Sequence, residues 1–216
     1  ATHDVTVNSN ITSTPIVSGS PATVGSPITV TVTGKPGATG SFSIGTIVTD
    51  KGLTEDAGTY TGDFTPATGV QEGTFDLVVN IGSSSQTVSG AVTIDTTAPV
   101  LSNPTANQTQ AKNGDTVTLS VTSSEPGAPV WANVSELDTT QSRVDFVEGT
   151  GVGIYTGTVT ISVDNQADNG DKTISFWAED AAGNRSEGVS TTVDLRNFAE
   201  FDLSIPKIIA KDGAQM

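Results

Sequence analysis

Apolar and polar side chains alternate strictly through Ile28-Thr29-Val30-Thr31-Val32-Thr33, and the pattern returns in Val117-Thr118-Leu119-Ser120-Val121-Thr122. A period of two sends every second side chain to one face, so each run reads as an antiparallel strand with its aliphatic face on a core and its hydroxyls in water. Turn signals precede both, Gly25-Ser26 in one case and Gly114-Asp115 in the other. Further along, Gly58-Thr59-Tyr60-Thr61-Gly62 is matched by Gly153-Ile154-Tyr155-Thr156-Gly157, and the late run Thr74–Ile81 by Lys172–Ala178. Each late run is followed by a polar turn and a closing strand, around Val88–Ile94 and Val189–Leu195. Elements that recur in one order at comparable spacing mark a duplicated unit.

Between the copies lies Asp95-Thr96-Thr97-Ala98-Pro99. Proline lacks the N–H that a central strand needs and stiffens the chain, which places a domain boundary here and makes the join semi-rigid. The expected organisation is one β-sandwich over 1–96, a second over 97–197, and a C-terminal extension over 198–216. The extension carries Phe198, Phe201, Leu203, Ile205, Ile208 and Ile209, too apolar for an idle tail. It reads either as the start of a further domain or as an assembly strand for a neighbouring subunit, as does the stretch around Val5 and Val7.

Threonine, serine, glycine and valine dominate the 216 residues, a composition suited to strands and turns with almost no helix. Nine basic against 24 acidic residues give a net charge of −15, spread along the chain. Such a surface repels nucleic acid and anionic lipid, and both are set aside as partners. No apolar run reaches the roughly 20 residues of a membrane helix, and no signal peptide stands at Ala1, as in a mature chain or an excised segment. There is no cysteine, so disulfide stapling and thiolate metal sites are unavailable, and the lack of a bridge leans toward a prokaryotic exported protein.

The closing motif Ala178-Glu179-Asp180-Ala181-Ala182-Gly183-Asn184, with Asp95-Thr96-Thr97-Ala98-Pro99, resembles the bacterial Ig-like repeats of large surface adhesins, S-layer proteins and modular extracellular enzymes. The first copy, with Gly40-Ser41-Phe42-Ser43-Ile44-Gly45 and Gly58–Gly62, resembles the same broad group less closely. The resemblance covers most of 1–197. It implies an all-β fold of two tandem antiparallel Ig-like sandwiches and a location outside the cell or on its surface. Activity is not implied by such a fold.

Candidate chemistry is sparse. The single histidine is His3, and with no cysteine there is no nucleophile–base pair of the usual kinds, so the chain reads as non-enzymatic. The acidic stretch Asp164-Asn165-Gln166-Ala167-Asp168-Asn169-Gly170-Asp171 offers hard oxygens. Its glycine sits one place late for an EF-hand and no closing glutamate follows, so it reads as an Asn-Gly turn or as a calcium loop. Asp180 belongs to a similar turn. The Ig-like resemblance implies that a calcium ion between domains could draw on Asp180 and Asp95.

In Val130-Trp131-Ala132-Asn133-Val134 and Ile174-Ser175-Phe176-Trp177-Ala178 the alternation sends Trp131 and Trp177 to the outer face. If these are the third and sixth strands of an Ig-like sandwich they are neighbours, and the indoles form one aromatic contact patch for protein or for the flat face of a sugar. A shift of one residue would bury an indole instead. Two functions follow. The first is a scaffold subunit or stalk segment of a surface layer, adhesin or filament, whose partners are further copies of itself or neighbouring surface-protein domains. The second is a carbohydrate-binding or accessory module of an exported enzyme, using the tryptophans.

Overall fold

A computed structural model describes residues 9–163 and 169–197. His3, Val5, Val7, Asp164, Asp168 and the apolar extension with Phe198, Phe201, Leu203, Ile205 and Ile208 lie outside the described residues. Every regular element among the described residues is a strand.

The first half of the chain contains β1 (Ile16–Ser18), β2 (Ile28–Thr33), β3 (Gly40–Ile44), β4 (Val48–Asp56), β5 (Thr59–Phe64), β6 (Gly73–Ile81) and β7 (Ser84–Ile94). They join in the order β1-β2-β5-β4-β3-β6-β7. This is a single hydrogen-bonded sheet rolled over itself, because β4 serves two neighbours. Its early residues pair with β3, through Leu53 opposite Gly40 and Val48 opposite Ile44, and Thr54–Asp56 pair with β5. The core inside the roll is made by Ile28, Val30 and Val32 from β2, Phe42 and Ile44 from β3, Tyr60 from β5, and Leu77, Val79 and Ile81 from β6. These are the inward phases that the alternation predicts.

The second half contains β8 (Leu101–Ala106), β9 (Gln110–Ala111), β10 (Thr116–Ser123), β11 (Val130–Asn133), β12 (Arg143–Asp145), β13 (Val147–Glu148), β14 (Ile154–Thr160), β15 (Gly170–Ala178) and β16 (Val189–Leu195). Here two separate sheets form, β13-β14-β10-β8 and β12-β11-β15-β16-β9. They enclose a second core built on Val117, Leu119, Val121, Val130, Ala132, Tyr155, Ile174, Phe176 and Leu195. The two cores share no residue.

The repeated Gly-x-Tyr-x-Gly motif has the same structural explanation in both halves. Gly58 and Gly153 sit at φ of +86° and +74°, and a Cβ on either would press against a backbone carbonyl, that of Gly34 or Ser123. Tyr60 and Tyr155 fill the cores, the Tyr60 hydroxyl donating to the Lys35 carbonyl at 2.6 Å. Gly62 and Gly157, next on the inward face, leave room for the crossing segment: a Cβ would lie 2.8 Å from Leu53 Cδ2 in one case and 3.0 Å from Phe146 and Val144 in the other.

Each half is closed by a short parallel contact at its last strand. Ala22 pairs with Ile94, its N–H donating to the Thr93 carbonyl and its carbonyl accepting from Asp95 N–H, both at 3.0 Å. In the second half β9 pairs with β16, Asp194 N–H donating to Thr109 and Arg196 N–H to Ala111.

Candidate binding face

Strands β11 and β15 pair antiparallel with Trp131 directly opposite Trp177 and Ala132 opposite Phe176. Val130, Ala132 and Val134 on one side and Ile174, Phe176 and Ala178 on the other are all buried, so alternation forces both indoles onto the outer face. They are half-buried there, not an open platform. Arginine covers them: the Arg143 guanidinium, from β12, lies 4.4 Å from the Trp131 ring centroid, and that of Arg185 lies 5.2 Å from Trp131 and 5.0 Å from Trp177. These distances fall within the range where the ring quadrupole attracts a cation. On the far side, Gly188 approaches so closely that a Cβ would stand 3.0 Å from the Trp177 Nε1. The two indoles expected to form one aromatic patch lie side by side, half-buried, with guanidinium groups over them.

The two arginines differ in their charge partners. Arg143 is paired, 2.6 Å from Asp145 Oδ1 through both Nε and Nη2. Arg185 has no carboxylate within ion-pair distance among the described residues, although Glu179 stands opposite it across a β-bridge. Its backbone is held by a tight turn. Asp180, buried, accepts from Ala182 N–H and Asn184 N–H on Oδ1, each at 2.8 Å, and from Asn184 Nδ2 on Oδ2 at 2.7 Å. Ser186 N–H then donates to the Ala178 carbonyl, returning the chain to the sheet.

The two acidic candidates for calcium, the turn that ends at Asp171 and the pair Asp180 and Asp95, lie apart. Asp171 is exposed at the start of β15, while Asp180 follows its other end, roughly 23 Å or more away at 3.3 Å per residue. Asp95 does approach Asp180, through Asn184, whose Nδ2 also donates to the Asp95 carbonyl at 2.9 Å. The donor set does not fit a hard cation at Asp180, because N–H groups occupy both of its oxygens. Among the described residues no group of three or more His, Cys, Asp or Glu has a metal-holding arrangement. Glu125, absent from the sequence-based set, stands near this junction. Burial first, then the charges of Asp180 and Asp95, raise its carboxyl above the ordinary range.

The connector is held from the other side by Glu72. Its Oε1 accepts from Thr96 N–H at 2.8 Å, from the Thr96 hydroxyl at 2.5 Å and from the Thr97 hydroxyl at 2.8 Å, and these bonds lower its pKa. Past Thr97, Ala98, Pro99, Val100 and Leu101 line an apolar hollow of about 220 Å³ with Glu187 and Val189. That is below the usual size of a small-molecule site.

No protein-family model matches the chain, and no curated protein matches it in sequence. Among solved structures it is similar to the fibronectin(III)-like modules of Clostridium thermocellum CbhA, with 17% identity, 85% of this chain and 94% of that one covered, and a TM-score of 0.46. It is also similar to the Escherichia coli adhesin FdeC, with 17% identity, 87% and 65% covered, and a TM-score of 0.45. The Yersinia pseudotuberculosis adhesin InvE matches at 20% identity, 83% and 58% covered, and a TM-score of 0.31. The chain thus spans less than two thirds of the two adhesin structures. These three neighbours are bacterial fibronectin-III-like and adhesin modules, structures of titin and murine CEACAM1b match as well, and the all-β sandwich fold rests on the strand pairing and cores described above.

Proposed function

We propose that the chain is a non-catalytic structural or adhesive module working outside a prokaryotic cell or on its surface. In this reading 1–96 and 97–197 are two Ig-like beads, 198–216 continues the assembly, and the partners are further copies or neighbouring surface domains. The observation that carries the reading is the connector. Glu72 fastens Thr96 and Thr97 from the first half, and Asn184 fastens Asp95 from the second. A connector whose first three residues are held by both halves, and which ends in a proline, has little freedom to swing, so the pair acts as a stiff segment whose function is reach and spacing. The filled cores and the modest size of the hollow at the connector are in keeping with this role.

Small-angle X-ray scattering tests it. The wild-type chain is expected to give the distance distribution of an elongated body with one preferred arrangement. Glu72→Gln combined with Asn184→Ala should broaden that distribution while leaving both cores folded. A wild-type chain that already scatters as a flexible ensemble would remove the stiff-rod reading, as would a double variant identical to wild type.

A further inference from the structure

Arg185 is the feature that a stiff spacer does not explain. It is an exposed cation in a chain of net charge −15, on a turn locked by Asp180, and its guanidinium lies over two indoles instead of closing on Glu179. Arg185 is exposed and its guanidinium carbon lies about 5 Å from both ring centroids, so the indoles attract the cation while the side chain stays open to a ligand. The N–H edge of a guanidinium is a planar fork that matches a carboxylate with two parallel hydrogen bonds. Attraction to the two rings also lowers the entropy cost of ordering a long side chain at the moment of binding.

The neighbouring row of the sheet adds the rest of a recognition surface. The register sets Arg143 opposite Asn133, Asn133 opposite Ser175, and Ser175 opposite Ser190, so four hydrogen-bonding side chains cross β12, β11, β15 and β16 in one line beside the Arg-Trp array. At about 4.8 Å between strands the line is roughly 14 Å long. It has the shape of a shallow strip that an extended polymer would cross. A protein interface is built around an apolar centre, and none of the exposed large apolar side chains among the described residues lies in this row. Because arginine lies over the indoles, stacking of a neutral sugar on a bare ring is not the mode of contact.

We propose that this strip binds an acidic polysaccharide, a uronate carboxylate meeting the Arg185 fork and sugar hydroxyls meeting Asn133, Ser175 and Ser190. The overall negative charge does not forbid it, since charges beyond about 8 Å are screened at physiological ionic strength while a contact pair is screened far less. This inference is independent of whether the connector is stiff.

The test is a titration of the full chain with an oligogalacturonate, followed by calorimetry and by tryptophan emission, with cellotetraose and a glutamate-rich peptide as comparison probes. The acidic oligosaccharide is expected to bind saturably, to change indole emission, and to weaken as salt rises. Arg185→Gln should lose about tenfold or more in affinity, the scale of one charged hydrogen-bonded contact. Arg185→Lys, which keeps the charge without the fork, should fall between, at an unchanged melting temperature. Should the glutamine variant fold poorly, the lysine variant and Asn133→Ala carry the test. Absence of binding by the wild-type chain overturns the proposal. Equal binding of cellotetraose overturns it in favour of ring stacking, and equal binding of the acidic peptide in favour of a protein ligand.

Discussion

The two halves of the chain carry the same motifs in the same order and close their sandwiches in different ways. In the first, one nine-residue strand, β4, passes from one layer to the other without a break, with Val48 in the core at its start and partly buried Leu53 as the inward side chain next to the crossing. In the second, the corresponding crossing is split into β12 and β13, with Phe146 between them turned into the core. Phe146 meets Phe176 edge to face at 5.5 Å and 71°, and its N–H donates to the Val130 carbonyl. The preceding loop adds buried Leu137, and Asp138 accepts from both the N–H and the hydroxyl of Thr140. One half therefore relies on continuous backbone pairing at the corner, the other on a buried aromatic anchor.

That contrast can be broken from either side. The largest effect is expected for Phe146→Ala, about 3 kcal/mol of stability lost from the second half, against clearly less for Leu53→Ala in the first. Chemical denaturation followed by a probe in each half checks it, and equal losses would mean that the corners are not built differently. Gly62→Val and Gly157→Val come next, at about 2 kcal/mol each from overpacking against Leu53 and Phe42 or against Phe146 and Val144. Each should move only its own unfolding transition. A Gly62 variant that shifts both would join the two halves into one cooperative unit.

The smallest effect sharpens the comparison where the halves meet. Glu125 belongs to the second half, yet Asp95 at the end of the first contributes to raising its pKa. A carboxyl whose pKa is raised in the folded state binds its proton more readily there than in the unfolded chain, so the cost of its charge is present above the raised value and is relieved as pH falls toward the ordinary glutamate value of 4.5. Glu125→Gln should accordingly stabilise the chain at neutral pH, on the order of 0.5 kcal/mol after solvent screening, and the gain should vanish in melts near pH 4. A gain that persists at low pH would put its origin elsewhere than the charge.

Much of this was legible in the alternation. Ile28–Thr33 matches β2 residue for residue, Val117–Thr122 lies within β10, and the phase of Trp131 and Trp177 followed from their buried neighbours. The Gly-x-Tyr-x-Gly repeat was visible as a repeat, but the reason for Gly62 and Gly157 lay in side chains of a different strand. Arg185 was invisible as part of the aromatic face because it reaches the indoles from a turn, outside any strand period. The acidic residues show how little sequence distance says about spatial distance. Asp171 and Asp180 are close in sequence, but an extended strand puts nearly its whole length between them, whereas Glu125 and Asp180, 55 positions apart, share one junction.

The parallel closures at Ala22 with Ile94 and at β9 with β16 bear on what happens under load. When two segments run in the same direction and tension pulls them toward opposite ends, their hydrogen bonds are strained in shear and must fail together, whereas an antiparallel hairpin pulled at its open end unzips one bond at a time. In each half the entering segment is fastened to the exiting strand by such a pair of backbone bonds. The same device, repeated along the chain, places its mechanical resistance at the seams and leaves the cores undisturbed until a seam has parted.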